Sequence, residues 1–301
     1  MEYSSKGRKF NKTPFCLRNN KISMEITKKI HLLKIDFAVQ IAPDKSLPRF
    51  VNSLIILGDS ITIIDCGVKN SYKLIYDYIE KNNRKISDIK TLILSHAHPD
   101  HIGSAQKIKT DTGCNVIAHF FEKDWIENID LQYKLRPVPG FYNLVDKSVK
   151  VDTLLVGVDD LTLDKDINIS TINTPGHSKG SFSILFNEDK ILFTADSLPL
   201  ANDIPTYDNF KDLKESITLL KSVKNYKTLL SSWTAPLYDK NDIAKLFNDG
   251  ENYLDKIDTA VKEYYSEKES NALDNCRKVI NALRLPPVFI EPLVDRAFKT
   301  H

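Results

Sequence analysis

Seven histidines are spread over 301 residues, yet three of them fall in the run Ser95-His96-Ala97-His98-Pro99-Asp100-His101. Composition does not explain that clustering. Imidazole nitrogens together with a carboxylate are the donor set that suits Zn²⁺ and comparable divalent cations, so metal binding is the first chemistry this run could do. Residues Thr91 to Leu94 read as a strand leading into it. In an extended continuation of that strand, His96 and His98 project to one side, because strand side chains alternate with period two. Pro99 delays coiling, so Asp100 and His101 fall in the turn that opens the next helix.

Two later segments have the same character. Thr174-Pro175-Gly176-His177-Ser178 and Thr194-Ala195-Asp196-Ser197 each place a polar group just after an apolar strand. Taken singly, the first reads as a surface turn and the second as a turn former or helix cap. Their order after the histidine cluster makes His177 and Asp196 candidates to complete one site. Cys66, next to Asp65, reads as a small buried residue at a strand end and not as a nucleophile. His119 reads as a helix-start or supporting residue, and Tyr142 and Tyr207 as loop residues near the edge of the site.

The elements that must hold these groups are short strands mixed with amphipathic helices. Leu54 to Leu57 and Ile61 to Ile64 flank a Gly58-Asp59 hairpin turn. Leu74, Ile75, Tyr78 and Ile79 predict a helix over 72 to 81, and another helix should follow His101. Further strands are expected near 115 to 118, 168 to 173, 181 to 186, 190 to 194 and 228 to 231, with a helix over 210 to 223. From about 241 the pattern is helical only. One stripe runs through Ile243, Leu246, Phe247, Leu254, Ile257 and Val261, and a second through Leu273, Cys276, Val279, Ile280 and Leu283. Leu285-Pro286-Pro287 should break the helices there. The organisation expected is a basic tail over 1–23, a body over 24–240 and a helical extension over 241–301. That extension must bury its stripes over the mouth of the site, in a homodimer contact or on the outside of the body.

With 42% hydrophobic and 27% charged residues and a net charge of +2, the composition is that of a globular chain. The first 23 residues hold six Lys or Arg against Glu2, so the remainder is slightly acidic and lacks the charge to hold nucleic acid. No apolar run approaches the roughly 20 residues of a membrane helix. The tail is not followed by an apolar signal segment. Four cysteines without a C-x-x-C pair are too sparse for a disulfide framework, so a cytoplasmic location is expected.

Asp65 followed by Gly67, H-x-H-x-D-H at 96 to 101, T-P-G-H-S at 174 to 178 and the Asp196 strand exit resemble the metallo-β-lactamase-fold superfamily, with its glyoxalase II- and lactonase-like hydrolases. The resemblance runs over roughly residues 25 to 240. It implies an α/β fold, an αββα sandwich with the metal site at one edge. It further implies His96, His98 and His177 on a first metal, Asp100 and His101 on a second, Asp196 bridging both, and Asp65 orienting the cluster. The family's usual last ligand is a histidine at the end of a late strand. Here that stretch reads Leu229-Leu230-Ser231-Ser232-Trp233-Thr234-Ala235-Pro236, and no histidine occurs between His177 and His301. One tight site and a second, weaker one is the expectation, with Asp239 as a residue that could complete the second.

The function implied is hydrolysis of an ester, thioester, lactone or related small acyl substrate by a metal-bound hydroxide, with Asp100 orienting that nucleophile or taking its proton. Zinc is the metal expected, with iron and manganese as alternatives. A mononuclear iron enzyme of the sulfur-dioxygenase type is the second reading, since two histidines and a carboxylate suit Fe(II). A degenerate member that binds without turnover is the third.

Overall fold

The computed structural model describes residues 22–42, 44–266 and 272–301. Most of the expected basic tail, and Cys16 with it, lies outside the described residues, while Ser23 already opens the first strand. One sheet contains β1 (Ser23–Glu25), β2 (Ile30–Ala42), β3 (Lys45–Leu57), β4 (Ile61–Ile64), β5 (Ile89–Leu94), β6 (Asn115–His119) and β7 (Thr153–Leu155), side by side in chain order. Its first four strands are antiparallel and β4 to β7 are parallel. The second sheet is built from β8 (Asp160–Asp164), β9 (Ile167–Asn173), β10 (Phe182–Phe186), β11 (Ile191–Phe193) and β12 (Thr228–Leu230) in the order β12-β11-β10-β9-β8. Only β11 and β12 run parallel there.

The period of two divides neighbouring apolar residues between two cores. Leu32, Leu54, Ile56, Ile64 and Ile93 face the second sheet and meet Ile169, Phe182, Ile184, Phe186 and Phe193. Leu33, Ile55, Ile63 and Leu92 face the other way and are covered by helices. Those helices are α1 (Tyr72–Lys81), α2 (Pro99–Ile102), α3 (Ala105–Thr112), α4 (Lys123–Glu127), α5 (Ile129–Leu135) and α6 (Phe141–Leu144). Beyond the second sheet lie α7 (Phe210–Ser222), α8 (Lys240–Tyr264), α9 (Ala272–Ala282) and α10 (Pro292–Phe298). Helix, sheet, sheet and helix form four layers, and the expected αββα sandwich is borne out.

The two C-terminal stripes end up inside the chain. Ile243, Phe247, Leu254, Ile257 and Val261 of α8, with Val279 and Ile280 of α9 and Val294 and Phe298 of α10, share one core with Leu213, Ile217 and Leu220 of α7 and with Leu192 and Leu229 of the second sheet. A 3₁₀ turn over Pro287–Phe289 stands where the Pro286-Pro287 break was expected. Among the described residues no helix is long and apolar enough to cross a membrane.

One large element departs from the expectation. The strand expected at Leu54 to Leu57 is the end of a 13-residue strand, β3, which forms a long hairpin with the 13-residue β2. β1 pairs only with His31–Leu33 and β4 only with Leu54–Leu57, so the distal half of the hairpin is a two-stranded arm. Pro48, which has no N–H to give, is tolerated on such an arm because its outer edges are free. The register sets Phe37 opposite Arg49 and Val39 opposite Leu47, which puts these four residues on one face.

Candidate metal centre

Four strand exits meet at one edge of the sandwich: Asp65 after β4, His96 and His98 after β5, His177 after β9, and Asp196 after β11. The turns that bring them together use unusual backbone. Asp65 and Ala195 have φ of 56° and 45°, a region that non-glycine residues seldom adopt. Gly176, with φ 123°, packs so closely that a Cβ there would lie 2.2 Å from the backbone nitrogen of Leu213. Its carbonyl accepts the N–H groups of Asp208 (2.7 Å) and Asn209 (3.0 Å), which fixes the loop holding His177.

The side chains converge to within donor-atom distances. His98 Nδ1 lies 2.8 Å from His177 Nε2, and the His96 ring centre is 4.5 Å from that of His98 and 5.0 Å from that of His177. Asp196 turns one oxygen to each half of the cluster. Its Oδ2 is 3.2 Å from His177 Nε2 and 3.9 Å from His96 Nε2, while its Oδ1 is 3.2 Å from His101 Nε2. Two sets of donor atoms, from His96, His98 and His177 and from His96, His101 and Asp196, each lie within 4.8 Å of one another. All five residues are buried. His96 Nε2 and His98 Nε2 are nevertheless without a hydrogen-bond partner, and His101 Nε2 and Asp196 Oδ1 have none but each other, 3.2 Å apart and not closing a hydrogen bond. Buried polar atoms are costly unless satisfied, and a divalent cation among these would satisfy them together. The residues present therefore fit the metal that the sequence pattern implies.

Supporting hydrogen bonds fix which nitrogen of each ring is free. The Asp65 carboxylate accepts from His101 Nδ1 (2.9 Å), from the Ser95 hydroxyl (2.7 Å) and from the Ser95 N–H (2.8 Å). Ser95 Oγ, 3.0 Å from His96 Nδ1, can then accept from that ring. Both rings are left with Nε2 facing the site, which is the role expected of Asp65. Burial, assisted by the charges of neighbouring residues, holds His96 and His98 in the neutral form that a ligand needs. Burial opposes charge on both His101 and Asp196, but their mutual attraction outweighs it, raising the imidazole and holding the carboxyl well below its usual range.

A residue the sequence did not single out ties the ligand loops together. Glu122, at the end of a 3₁₀ turn after β6, is fully buried. It accepts from the Ala97 N–H (2.8 Å) in the first histidine loop, and from the Ser178 hydroxyl and the Gly180 N–H (2.5 Å each) in the second. Gln132 donates to the Ala97 carbonyl at 2.6 Å. Neither residue stands out in the sequence, because an isolated Glu or Gln is ordinarily on the surface.

Other expectations meet mixed outcomes. Asp100 stands at the rim, with Oδ2 3.8 Å from His101 Nε2, and belongs to neither close donor set. Asp239 is not at the site: it caps α8 at its N-terminus, accepting from the N–H groups of Asn241 (2.8 Å) and Asp242 (3.2 Å). Instead Trp233 lies beside the cluster, its ring centre 6.4 Å from that of His101, with the Arg49 guanidinium stacked on it at 4.7 Å. Tyr142 is exposed and donates to Asp130, away from the cluster, whereas Tyr207 is buried and bonds His301. His301 also pairs with Asp258, so it does not replace the missing ligand. Cys66 is buried, with its thiol pushed up by burial, and His119 caps the 3₁₀ turn through Nδ1.

Above the cluster opens a cavity of about 790 Å³ counted out to its mouth. His98, Asp100, His177 and Asp196 form its floor. The arm contributes Phe37, Val39, Leu47 and Arg49, and the C-terminal segment contributes Val288, Phe289, Glu291 and Leu293. Of the three placements expected for the helical extension, covering the mouth of the site and docking on the sandwich exterior are both realised.

A family model for the metallo-beta-lactamase superfamily matches residues 47–235. A probable metallo-hydrolase of Methanocaldococcus jannaschii is 27% identical over 189 residues, covering 59% of this chain and 83% of that protein. A hydroxyacylglutathione hydrolase of Nitrobacter hamburgensis is 30% identical over 120 residues, which is 40% of this chain and only 38% of the relative. Among solved structures, a metallo-beta-lactamase family protein of Thermus thermophilus superposes with a TM-score of 0.69 at 15% identity, covering 91% of this chain and 93% of that one. A class B3 di-zinc metallo-beta-lactamase from an Alaskan soil metagenome gives a TM-score of 0.61 at 18% identity, covering 78% and 94%. With more than half of its length matched by the family model and its strand exits gathered into one cluster of histidines and a carboxylate, the chain belongs to the metallo-beta-lactamase superfamily and is an enzyme of its metallo-hydrolase kind.

Proposed function

We propose that the chain hydrolyses an ester, thioester, lactone or related small acyl substrate at a zinc site held by His96, His98 and His177, with His101 and Asp196 offering a second, weaker site. The observation that carries this reading is the two-sided Asp196, facing His96 and His177 with one oxygen and His101 with the other, at the floor of a largely apolar cavity. A divalent cation bound there supplies the chemistry by lowering the pKa of its water to about 7 and polarising the substrate's carbonyl oxygen. Asp100, on the rim and lining the cavity, orients the attacking water or takes its proton. The apolar walls shield the reacting carbonyl from bulk water and leave room for an acyl group. The names of the relatives, a probable metallo-hydrolase and a hydroxyacylglutathione hydrolase, support a hydrolase reading. A reducing, cytoplasmic setting suits Cys66, Cys114 and Cys276, which are free.

The test is metal analysis of protein purified without added metal, with assays on a panel of esters, thioesters and lactones. Zinc or manganese with turnover of at least one class is expected, and His96→Ala or His98→Ala should abolish that turnover while circular dichroism stays unchanged. Full turnover by either variant would defeat the metal assignment. Iron in the protein, with oxygen consumption, would favour the dioxygenase reading, and a folded protein without metal would favour a binding member.

A further inference from the structure

Two charged residues of the cavity wall have hydrogen-bonding capacity that the protein does not use. Arg49 is not one of them: both its Nη groups bond Asp203 (2.8 and 3.0 Å), and its face is covered by Trp233. Arg136 is buried, yet among the described residues its guanidinium makes one hydrogen bond, from Nε to Asp208 Oδ1 at 3.3 Å. Asp208 is held in turn by Arg296. Arg136 lines the cavity, and among the described residues neither of its Nη groups has a hydrogen-bond partner. Glu291, from the segment between the 3₁₀ turn and α10, lines the same cavity. Its carboxylate has no hydrogen-bond donor among the described residues. Burial pushes this carboxyl up to about 7, with Arg136 pulling the other way.

A guanidinium with donors to spare and a partly buried carboxyl without a protein donor, lining one cavity, are left to water in the free protein and to whatever ligand displaces it. A lone carboxylate on the ligand would suit Arg136 but could pair with Glu291 only in the protonated form of that carboxyl. A lone ammonium would suit Glu291 and meet Arg136 as a like charge. A neutral group with an acceptor on one edge and a donor on the opposite edge satisfies both without bringing in a charge. We infer that Arg136 and Glu291 are the specificity pair of this cavity and read an amide in the substrate, its carbonyl oxygen accepting from Arg136 and its N–H donating to Glu291. The rest of that substrate is apolar, packed against Phe37, Leu47 and Phe289. The inference rests on the hydrolytic reading for the fate of the ligand but not for its recognition.

The test is therefore one of binding. Stable product analogues are titrated calorimetrically into the zinc-loaded full-length protein: N-acetyl-ω-amino carboxylates of graded chain length, and the ketone isosteres in which CH₂ replaces the amide N–H. At a pH above 7, where Glu291 is charged, and at the best-fitting length, the amide should bind about tenfold more tightly than the ketone, the worth of one hydrogen bond to a charged acceptor. Glu291→Leu should bring that ratio to about one, Glu291→Gln should keep part of it, and Arg136→Lys should weaken both probes alike because both retain the carbonyl. Equal affinity for amide and ketone at every length, a ratio that survives Glu291→Leu, or no measurable binding of any amide would overturn the inference. Failure to hydrolyse any ester, thioester or lactone would overturn the hydrolytic reading while leaving a measured amide preference intact.

Discussion

At the scale of single residues, the site depends on groups that never touch a ligand. Glu122 accepts three hydrogen bonds from the two loops that present His96, His98 and His177, with one oxygen serving Ala97 and the other Ser178 and Gly180. Glu122→Gln keeps the shape but has only one acceptor oxygen. Its amide N–H₂ must then face either the Ala97 N–H or the Ser178 and Gly180 donors, leaving a buried donor unsatisfied. The expected result is a folded protein whose zinc affinity falls about 10- to 100-fold, the usual consequence of losing a partner that orients metal ligands. Competition with a fluorescent chelator reads it, and unchanged affinity would reduce Glu122 to a packing residue. The histidines were legible in the sequence because rare donor types were crowded into six positions. Glu122, Arg136 and Glu291 were not, since Glu and Arg are common surface residues and only the fold buries these. Asp239 shows the converse error, for an Asp a few residues from the vacant ligand position proved to be satisfying the first N–H groups of α8.

At the scale of elements, the parts set by local pattern were readable and those set by distant partners were not. Helices α1 and α7 and the inner strands show their period within ten residues. The arm does not: Lys45, Ser46 and Pro48 are exposed, and Arg49 faces a cavity that exists only after α10 and its preceding turn have docked. The C-terminal helices were legible as apolar stripes, but not the surface that receives them. That surface gives a prediction. Removing residues 241–301 uncovers Leu192, Leu213, Ile217, Leu220 and Leu229, which are now fully or almost fully buried. At roughly 1.5–3 kcal/mol per side chain, the loss is comparable to the 5–15 kcal/mol that holds a typical domain folded. The truncated chain should be insoluble or molten, judged by sedimentation and near-UV dichroism. A soluble, fully active truncation would show that the helices neither complete the core nor wall the site.

At the scale of the whole molecule, the metal cluster joins parts that are far apart in sequence. His96, His98 and His101 follow the first sheet, whereas His177 and Asp196 follow the second, so a cation held between them cross-links the two halves of the sandwich. Without it, the molecule must keep several buried, unsatisfied nitrogen and oxygen atoms at the junction of its sheets. Binding to the folded state alone stabilises it by RT ln(1 + [M]/Kd), about 2.7 kcal/mol at a hundredfold excess over Kd. Zinc added to chelator-treated protein should therefore raise Tm by several degrees in one steep step, as the three-histidine site fills. A shallower rise at higher concentration should follow from the second site, beside which Trp233 lies and where no further histidine is at hand. Asp196→Ala, which removes the carboxylate shared by both halves, should weaken the first step and remove the second. Scanning calorimetry against free zinc concentration separates the cases. Two equally steep steps would show that another residue supplies the absent donor, and a Tm indifferent to zinc would show that the cluster is held together by its hydrogen bonds alone.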